Sequence, residues 1–363
     1  MSPTPLDRPA DWLTVREALD RILAAIQPLP TERVPLLESL GRVLAEPIVS
    51  PIDQPPWTNS GMDGFACRAE DIRGATPEHP RLLRIVEEVP AGAFPTRAIG
   101  PREGVRLMTG APVPEGADSV VRLEHTHPVS GTNVVVERDV DAGRNLRERG
   151  EDLRAGSTAL EAGTVIRPAE IGVLATVGRA EVLVHRRARV AILSNGDELV
   201  DLDDFEQVLA GKRIVNSNSY GLAAAVLSAG AAPVLLGIAR DKRESLREHL
   251  ERARGADALL TTAGASVGDL DLMKDVLEEL GYRLSFWRVQ VQPGSPFSFG
   301  LLGDVPVFGL AGNPVSALVT FEVLVRPALR RLHGQPDVFP SLIRVRTAER
   351  IESRAGLMRF LRA

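Results

Sequence analysis

Three acids, Glu198, Asp241 and Asp271, each stand just past an apolar run that reads as a β-strand. Carboxylates converging beside a phosphate cradle suit a hard cation such as Mg²⁺, which takes a few carboxylates plus substrate phosphates. Singly, an acid such as Asp271 in the first turn of a helix need only complement the helix dipole. The cradle would be Thr261 to Asp269 (TTAGASVGD), placed between a strand and a helix, where backbone N–H groups can receive an anion or simply make a tight turn. It carries neither P-loop nor dinucleotide-binding glycine spacing.

Other segments supply small polar groups and close backbone approach: Ser194 to Leu199 (SNGDEL), Asn216 to Ser219 (NSNS) and Ala311 to Ser316 (AGNPVS). Asn218 or Ser219 either caps the following helix or meets a ligand, and Asn313-Pro314 also suits a turn. Earlier in the chain, Asn59 to Ala66 and Leu107 to Asp118 are dense in turn formers, which leaves Asp63 and Thr109 without a structural reason to be there. His125 and His127, at i and i+2, would face one way on a strand, as a metal pair or as two solvated imidazoles. No Ser-His-Asp or Cys-His arrangement is present, and Cys67 has no nearby histidine to make it a nucleophile.

The elements that must position these groups follow from periodicity. Thr14 caps an opening helix with Glu17 completing a capping box, and Val15, Ala18, Ile22 and Ile26 share one face. From Pro51 to Val140, short runs such as Leu82–Val86 and Val134–Val136 alternate with Pro and Gly, a small β-rich module; Asp141 to Gly156 reads as a return crossing. From Arg189 onward, strands at Val190–Leu193, Pro233–Ile238 and Ala258–Thr261 alternate with helices at Ser219–Ser228, Arg243–Arg254 and Leu270–Leu280. That is the grammar of a doubly wound α/β domain, whose ligands sit at the carboxyl ends of the strands, here the loops after Leu193, Ile238, Thr261 and Leu310. Beyond Arg331, Ser341 to Ala363 reads as a short β-like segment.

Composition narrows the class. The 363 residues hold two or three domains at ordinary size, and the single cysteine excludes a disulfide framework or a Cys-rich metal site. The net charge of −5 gives no nucleic-acid field. Lysine occurs only at Lys212, Lys242 and Lys274, with arginine supplying the rest of the 43 basic residues. Met1 to Trp12 lacks the basic start and apolar run of a signal peptide, and Ile214 to Ala239 is interrupted by polar residues, Gly and Pro. A cytoplasmic location, no membrane partner and no nucleic-acid partner are expected.

Taken together, the segments resemble the MoeA family, the molybdopterin molybdenumtransferases related to the gephyrin E domain. The resemblance runs from the opening helix to Ala363 and rests on GMDGFA (Gly61 to Ala66), RLMTGAPVPEGAD (Arg106 to Asp118), RGEDL (Arg149 to Leu153), SNGDEL, GASVGDLD (Gly264 to Asp271), QPGSPFSFG (Gln292 to Gly300) and AGNPVSA. It implies an elongated α/β multidomain fold. A discontinuous helical/β first domain would comprise 1–50 and 141–185, with a β-rich second domain at 51–140. A MogA-like, doubly wound third domain would span 186–330, followed by a partial C-terminal β-barrel domain at 331–363. It also implies a homodimer whose cleft takes a second-domain surface from the partner.

The activity implied is insertion of molybdate into adenylylated molybdopterin with Mg²⁺ present and AMP released, the substrate coming from a molybdopterin adenylyltransferase as a further partner. On that resemblance, Asp63, Thr109, Asp152, Glu198 and Asp271 are expected in catalysis, and Glu198, Asp241 and Asp271 at the metal. Cofactor contacts are expected from Ser194, Gly196, Asn218, Gly264, Ser266, Gly268, Arg288, Pro293, Gly294, Gly312, Asn313, Pro314 and Arg362. Within Phe286 to Phe299, Arg288 keeps a charge, but Gln292 and Ser295 stand where the family commonly has basic residues, and Ala263 and Ala311 replace family residues in two tight loops. Gly356 to Ala363 matches only the first strands of the family's last domain, as in a truncated chain or a shortened paralogue. An alternative function is therefore a catalytically impaired paralogue acting as a pterin- or nucleotide-binding scaffold.

Overall fold

The capping box at Thr14 forms as expected: Glu17 N–H donates to the Thr14 hydroxyl oxygen at 3.2 Å, and Thr14 N–H donates to the Glu17 carboxylate at 2.8 Å. It starts helix α1 (Val15–Ala24), and Val15, Ala18, Ile22 and Ile26 are all buried. The structure is a computed structural model describing residues 12–129, 131–263, 267–351 and 356–361. It divides into two compact units, one of residues 47–161 and 176–178, the other containing the rest. No helix among the described residues is long and apolar enough to cross a membrane.

After β1 (Thr31–Pro35), the smaller unit contributes β2 (Ile48–Val49), β3 (Asn59–Ser60), β4 (Gly64–Cys67), α2 (Ala69–Ile72), β5 (Arg81–Val89), β6 (Glu103–Leu107), β7 (Ser119–Arg122), β8 (Thr126–Pro128), β9 (Asn133–Val136), β10 (Leu146–Arg147) and β11 (Thr158–Leu160). Six of these strands form one sheet in the order β7-β4-β6-β5-β9-β8. Alternation along β4 sends Ala66 to a core with Val105, Leu107 and Val120, and Cys67 to another with Leu83, Val121 and Val136. Cys67, the only cysteine in the sequence, is fully buried there. The crossing segment after Val140 supplies β10, which pairs antiparallel with β3.

The histidine pair needs correction. His125 lies in a 3₁₀ turn with Nδ1 2.9 Å from the buried Asp141 carboxylate, while His127 Nε2 lies 3.1 Å from Glu137. Each imidazole has its own acid, and the two present no shared ligand face.

The larger unit resumes with α3 (Pro168–Thr176), β12 (Glu181–His185), β13 (Arg189–Asn195), β14 (Leu199–Val200), α4 (Phe205–Leu209), β15 (Ile214–Val215), α5 (Ser217–Ser228), β16 (Ala232–Ala239), α6 (Arg243–Arg252), β17 (Ala258–Ala263), α7 (Val267–Glu279), β18 (Tyr282–Trp287), β19 (Val291–Gln292), β20 (Ser298–Leu302), β21 (Val305–Ala311), α8 (Pro314–Thr320), α9 (Arg326–Leu332) and β22 (Met358–Arg359). Its main sheet has the order β16-β13-β17-β21-β20-β18. β13, β16, β17 and β21 are parallel, whereas β20 runs antiparallel to both β21 and β18. Along β13, Val190 and Ile192 pack toward α1, α5 and the α8–α9 region; Ala191 and Leu193 pack toward α6 and α7. Both faces are covered, which is why the central strands read as continuous apolar runs.

Of the expected β-like segment after Ser341, only Met358–Arg359 is a strand among the described residues, paired parallel with β19.

Candidate functional site

From β13 the chain passes through α5 to β16 on one side and later returns as β17 on the other, so the carboxyl ends of β13 and β17 flank a topological switch point. Open α/β sheets bind their ligands in such crevices. Ser194 of β13 stands opposite Thr262 of β17, and their hydroxyl oxygens are 2.8 Å apart. Ser194 Oγ also lies 2.9 Å from Asn216 Oδ1 and 3.0 Å from Ser219 Oγ, and Asn216 Nδ2 donates to Ser219 Oγ at 2.8 Å.

The proton directions follow. Asn216 Oδ1 can only accept, so Ser194 donates to it and must accept from Ser219 and Thr262. The Ser194 hydroxyl is fully buried with one donor and two acceptor positions filled, so it orders the crevice floor. Asn216, two residues earlier than anticipated, is the residue that caps α5, through Ser219 N–H. Asn218 is thereby released from capping, and its Nδ2 donates to Gly312 O at 2.7 Å, tying α5 to the loop after β21. Asn313 caps α8 by accepting from Val315 and Ser316 N–H, with Pro314 in the first turn.

Above this floor is a cleft of about 210 Å³ lined by Asn195, Glu198, Asn216, Asn218, Thr262 and Gly312, among others. Asp241, at the end of β16, accepts from Asn195 Nδ2 at 3.0 Å and from Asp197 N–H at 3.2 Å. Gly196 has φ +150°, and a Cβ there would collide with the Glu198 carboxylate, so glycine lets that acid fold back over the loop. Asn195 is 4% exposed, and its Oδ1 has no hydrogen-bond partner. A buried unsatisfied acceptor beside two acids is unusual enough to require a ligand or another reason.

Glu198 and Asp241 are thus both at the cleft end of the sheet. No group of three His, Cys, Asp or Glu side chains gathers at a metal-binding distance among the described residues. Gly264, Ser266 and Arg362 lie outside the described residues. Gly268 and Asp271 are on α7, and the Asp271 side chain is outside what is described.

Two strands beyond β21, at the same edge, the β18–β20 connection carries Arg288, Pro293 and Gly294. The Gln292–Pro293 peptide is cis. Gly294 has φ +107°, and a Cβ would strike Thr320 of α8, so this loop rests on α8 only because position 294 has no side chain. Ser295 donates its hydroxyl to Val291 O at 2.5 Å, within its own loop.

In the smaller unit, Asp63 and Thr109 are brought together. The Thr109 N–H and hydroxyl both donate to Asp63 Oδ1 at 2.7 Å, and the N–H above all holds this exposed carboxyl below its usual range. Asp152 is exposed, and its N–H donates to Gln54 O at 3.0 Å; no bond joins it to Asp63 among the described contacts. Sequence reasoning missed Asn195 as the partner of Asp241, and Asn216 and Thr262 as partners of Ser194, although all three lay in segments it had marked.

The chain is similar to known proteins along most of its length. Residues 13–178 match the family described as MoeA N-terminal region (domain I and II), and residues 191–331 match one described as a probable molybdopterin binding domain. A Mycobacterium tuberculosis protein named molybdopterin molybdenumtransferase 2 is 40% identical over 337 residues, covering 91% of this chain and 82% of its own. A Nostoc protein named molybdopterin molybdenumtransferase is 37% identical over 361 residues, covering 97% and 82%. The crystal structure of the Pyrococcus horikoshii molybdopterin biosynthesis MoeA protein superposes with a TM-score of 0.76 at 33% identity, covering 90% of this chain and 81% of that one.

Proposed function

This chain belongs to the MoeA family, which serves molybdenum cofactor biosynthesis, and from that premise we propose that it is a transferase that inserts molybdate into adenylylated molybdopterin with release of AMP. The observation that carries the reading is the cleft at the β13/β17 switch point, lined by an ordered hydroxyl floor, the Glu198 carboxylate and the unpaired buried Oδ1 of Asn195, whose Nδ2 donates to Asp241.

The donors suit Mg²⁺. They are all oxygen, from Glu198, Asp241 and the unpartnered Asn195 Oδ1, and with only two described carboxylates the ion would keep waters and substrate phosphates as its other ligands. Bound there, it would supply positive charge against a phosphoanhydride under cleavage. Asn195 Nδ2 and the Asp197 N–H hold the Asp241 carboxylate in one orientation, and the Ser194 network fixes Asn216 and Thr262 at the cleft floor. Asn218 keeps the Gly312 loop against α5, so three strand ends present one surface.

Asp63 and Thr109 form the second part of the reading. We assign them to a homodimeric active cleft completed by the partner's copy of this loop, with the substrate delivered by an adenylyltransferase. The test is direct: purified protein incubated with adenylylated molybdopterin, molybdate and Mg²⁺ releases AMP and yields molybdenum-bearing cofactor. Absence of AMP release defeats the transferase assignment. One observation favours a second reading, a binding scaffold without turnover: Ser295 turns its hydroxyl into its own loop and Gln292 is uncharged. Tight substrate binding without AMP release would establish that alternative.

A further inference from the structure

Asp53 lies ahead of the Asn59 to Ala66 motif, and both of its carboxylate oxygens are engaged by one loop distant in sequence. Oδ2 accepts from Arg149 Nε at 2.7 Å, and Oδ1 accepts from Ala155 N–H at 2.8 Å. These bonds take hold of the first residue of the RGEDL motif and of a residue just past its end, on either side of Asp152. The Asp53 side chain is 20% exposed, whereas that of Arg149 is 66% exposed. The Ala155 N–H first, and then Arg149, hold the Asp53 carboxyl below its usual range, so the group is ionised at neutral pH.

The main chain completes the clasp. Gln54 N–H donates to Leu153 O at 2.6 Å, and Gln54 O accepts from the Asp152 and Leu153 N–H groups, each at 3.0 Å. Pro55 O accepts from Gly150 N–H at 2.9 Å. Gly150 has φ +70°, so glycine lets the loop turn here, and a Cβ on it would lie 3.4 Å from Asp53 Oδ1. Further along, the Thr58 hydroxyl donates to Glu148 Oε2 at 3.1 Å and accepts from Arg149 N–H at 3.2 Å. Residues 148–155 are thus laid along residues 53–58, and the antiparallel pairing of β3 with β10 continues the same seam. Asp63 follows β3 on one strand of the seam, and Asp152 stands exposed on the other, its carboxylate without a hydrogen bond or ion pair among the described residues.

We infer that Asp53 is a positioning residue, whose carboxylate clamps both ends of the 149–155 loop and so fixes Asp152 in one frame with Asp63. Two donors meet at this point from opposite ends of the loop, and a carboxylate offers each of them an oxygen. An amide offers one acceptor and turns its own N–H groups toward the second donor. Asp53→Asn therefore keeps the shape of the side chain and gives up one of the two bonds. What Asp152 does in turnover rests on the transferase reading; the clamp itself does not.

Full-length protein is compared with Asp53→Asn, Asp152→Asn and the double variant, by amide hydrogen exchange and by steady-state AMP release from adenylylated molybdopterin with molybdate and Mg²⁺. Asp53→Asn should speed exchange across 149–155 about tenfold and leave β4, β6 and β7 unchanged. Its kcat should fall about tenfold with KM within about twofold of the parent, and Asp152→Asn should lose about 100-fold. The double variant should turn over at the rate of Asp152→Asn alone, since no carboxylate is left to position. Independent structural damage would instead multiply the two losses.

Should Asp53→Asn melt well below the parent, Arg149→Gln takes its place in the same cycle, because it removes one donor and leaves Asp53 bonded to Ala155. The inference is overturned if exchange across 149–155 stays at the parental rate, if either single variant keeps the parental kcat, or if the double variant loses a further tenfold. Faster exchange in Asp53→Asn, with no AMP released even by the parent, would defeat the transferase and leave the clamp standing. Unchanged exchange alongside AMP release by the parent would do the reverse.

Discussion

The two edges of the larger unit's sheet differ in a way that volume conceals. At the amino edge, a cavity of about 370 Å³ is walled by Leu250, Ala253, Leu259, Leu280, Leu302 and Val305; the carboxyl-edge cleft measures about 210 Å³. At the amino edge, Arg186 donates to both Asp257 oxygens at 2.9 and 2.6 Å and Arg189 N–H donates to the same carboxylate at 2.7 Å, while the buried Nε of Arg331, two residues before His333, has no hydrogen-bond partner. At the carboxyl edge, Asn195 Oδ1 and Arg288 Nε are buried and unpaired. The larger hollow is walled mainly by apolar side chains, with Glu251 and Arg254 also on its lining, whereas the smaller one is lined by Asn195, whose Oδ1 is buried and unpaired. An unpaired acceptor on the wall of the cleft itself, and not size, distinguishes the carboxyl edge as the place for a ligand.

The sharpest way to break this comparison is Asp241→Asn. It keeps the size of the side chain and removes a charge, so turnover should fall by about 100-fold while the melting temperature barely moves. Turnover at the parental rate would show that the carboxyl edge is not where the charge is needed.

A second measurement examines polar burial near the amino end of β13. His333 is buried, its Nε2 accepts from Ala188 N–H at 3.1 Å, and burial above all, with Arg42, Arg187 and His185 nearby, pushes its pKa from 6.5 down to about 4. The folded state therefore favours the neutral ring. Its contribution is complete above the unfolded value and is lost as pH falls toward 4, on the order of 3 kcal/mol across that window. His333→Gln, which retains an acceptor for Ala188 N–H, should flatten the pH dependence of the melting temperature between 6.5 and 4. A slope equal to the parent's would assign the acid sensitivity to other groups. The smallest effect is expected from Glu251→Gln on the rim of the amino-edge cavity, with stability within about 0.5 kcal/mol and turnover unchanged. A loss of turnover there would reverse the comparison.

Much of the α/β unit was legible because its signals are local. The runs Val190–Leu193, Pro233–Ile238 and Ala258–Thr261 became β13, β16 and β17 with one or two residues added at their ends, and the helices between them followed their apolar faces. The carboxyl edge was legible for the same reason, since alternation of strand and helix fixes which loops share a side. The cap of α5 was misjudged because Asn216, Asn218 and Ser219 can all cap. Which one does depends on Ser194 and Thr262, brought in from other strands.

The stacking of Trp12 on Arg288 had no sequence signal at all. It depends on the residue at position 13 bridging one at 289, and no periodicity reports a contact of that separation. The histidine pair failed similarly: spacing two apart suggested one face, but a 3₁₀ turn at His125 and the separate acids Asp141 and Glu137 took the rings to different partners.

The burial of Cys67 has a practical chemical meaning. Burial, reinforced by the charges of Asp118, Asp71 and Asp141, pushes its thiol up to about 12, so at neutral pH almost none of it is the thiolate that alkylating reagents attack. The native protein is consequently a silent background for cysteine-directed chemistry. One cysteine introduced on an exposed loop can carry a dye, spin label or crosslinker at a single known position without first removing the natural one.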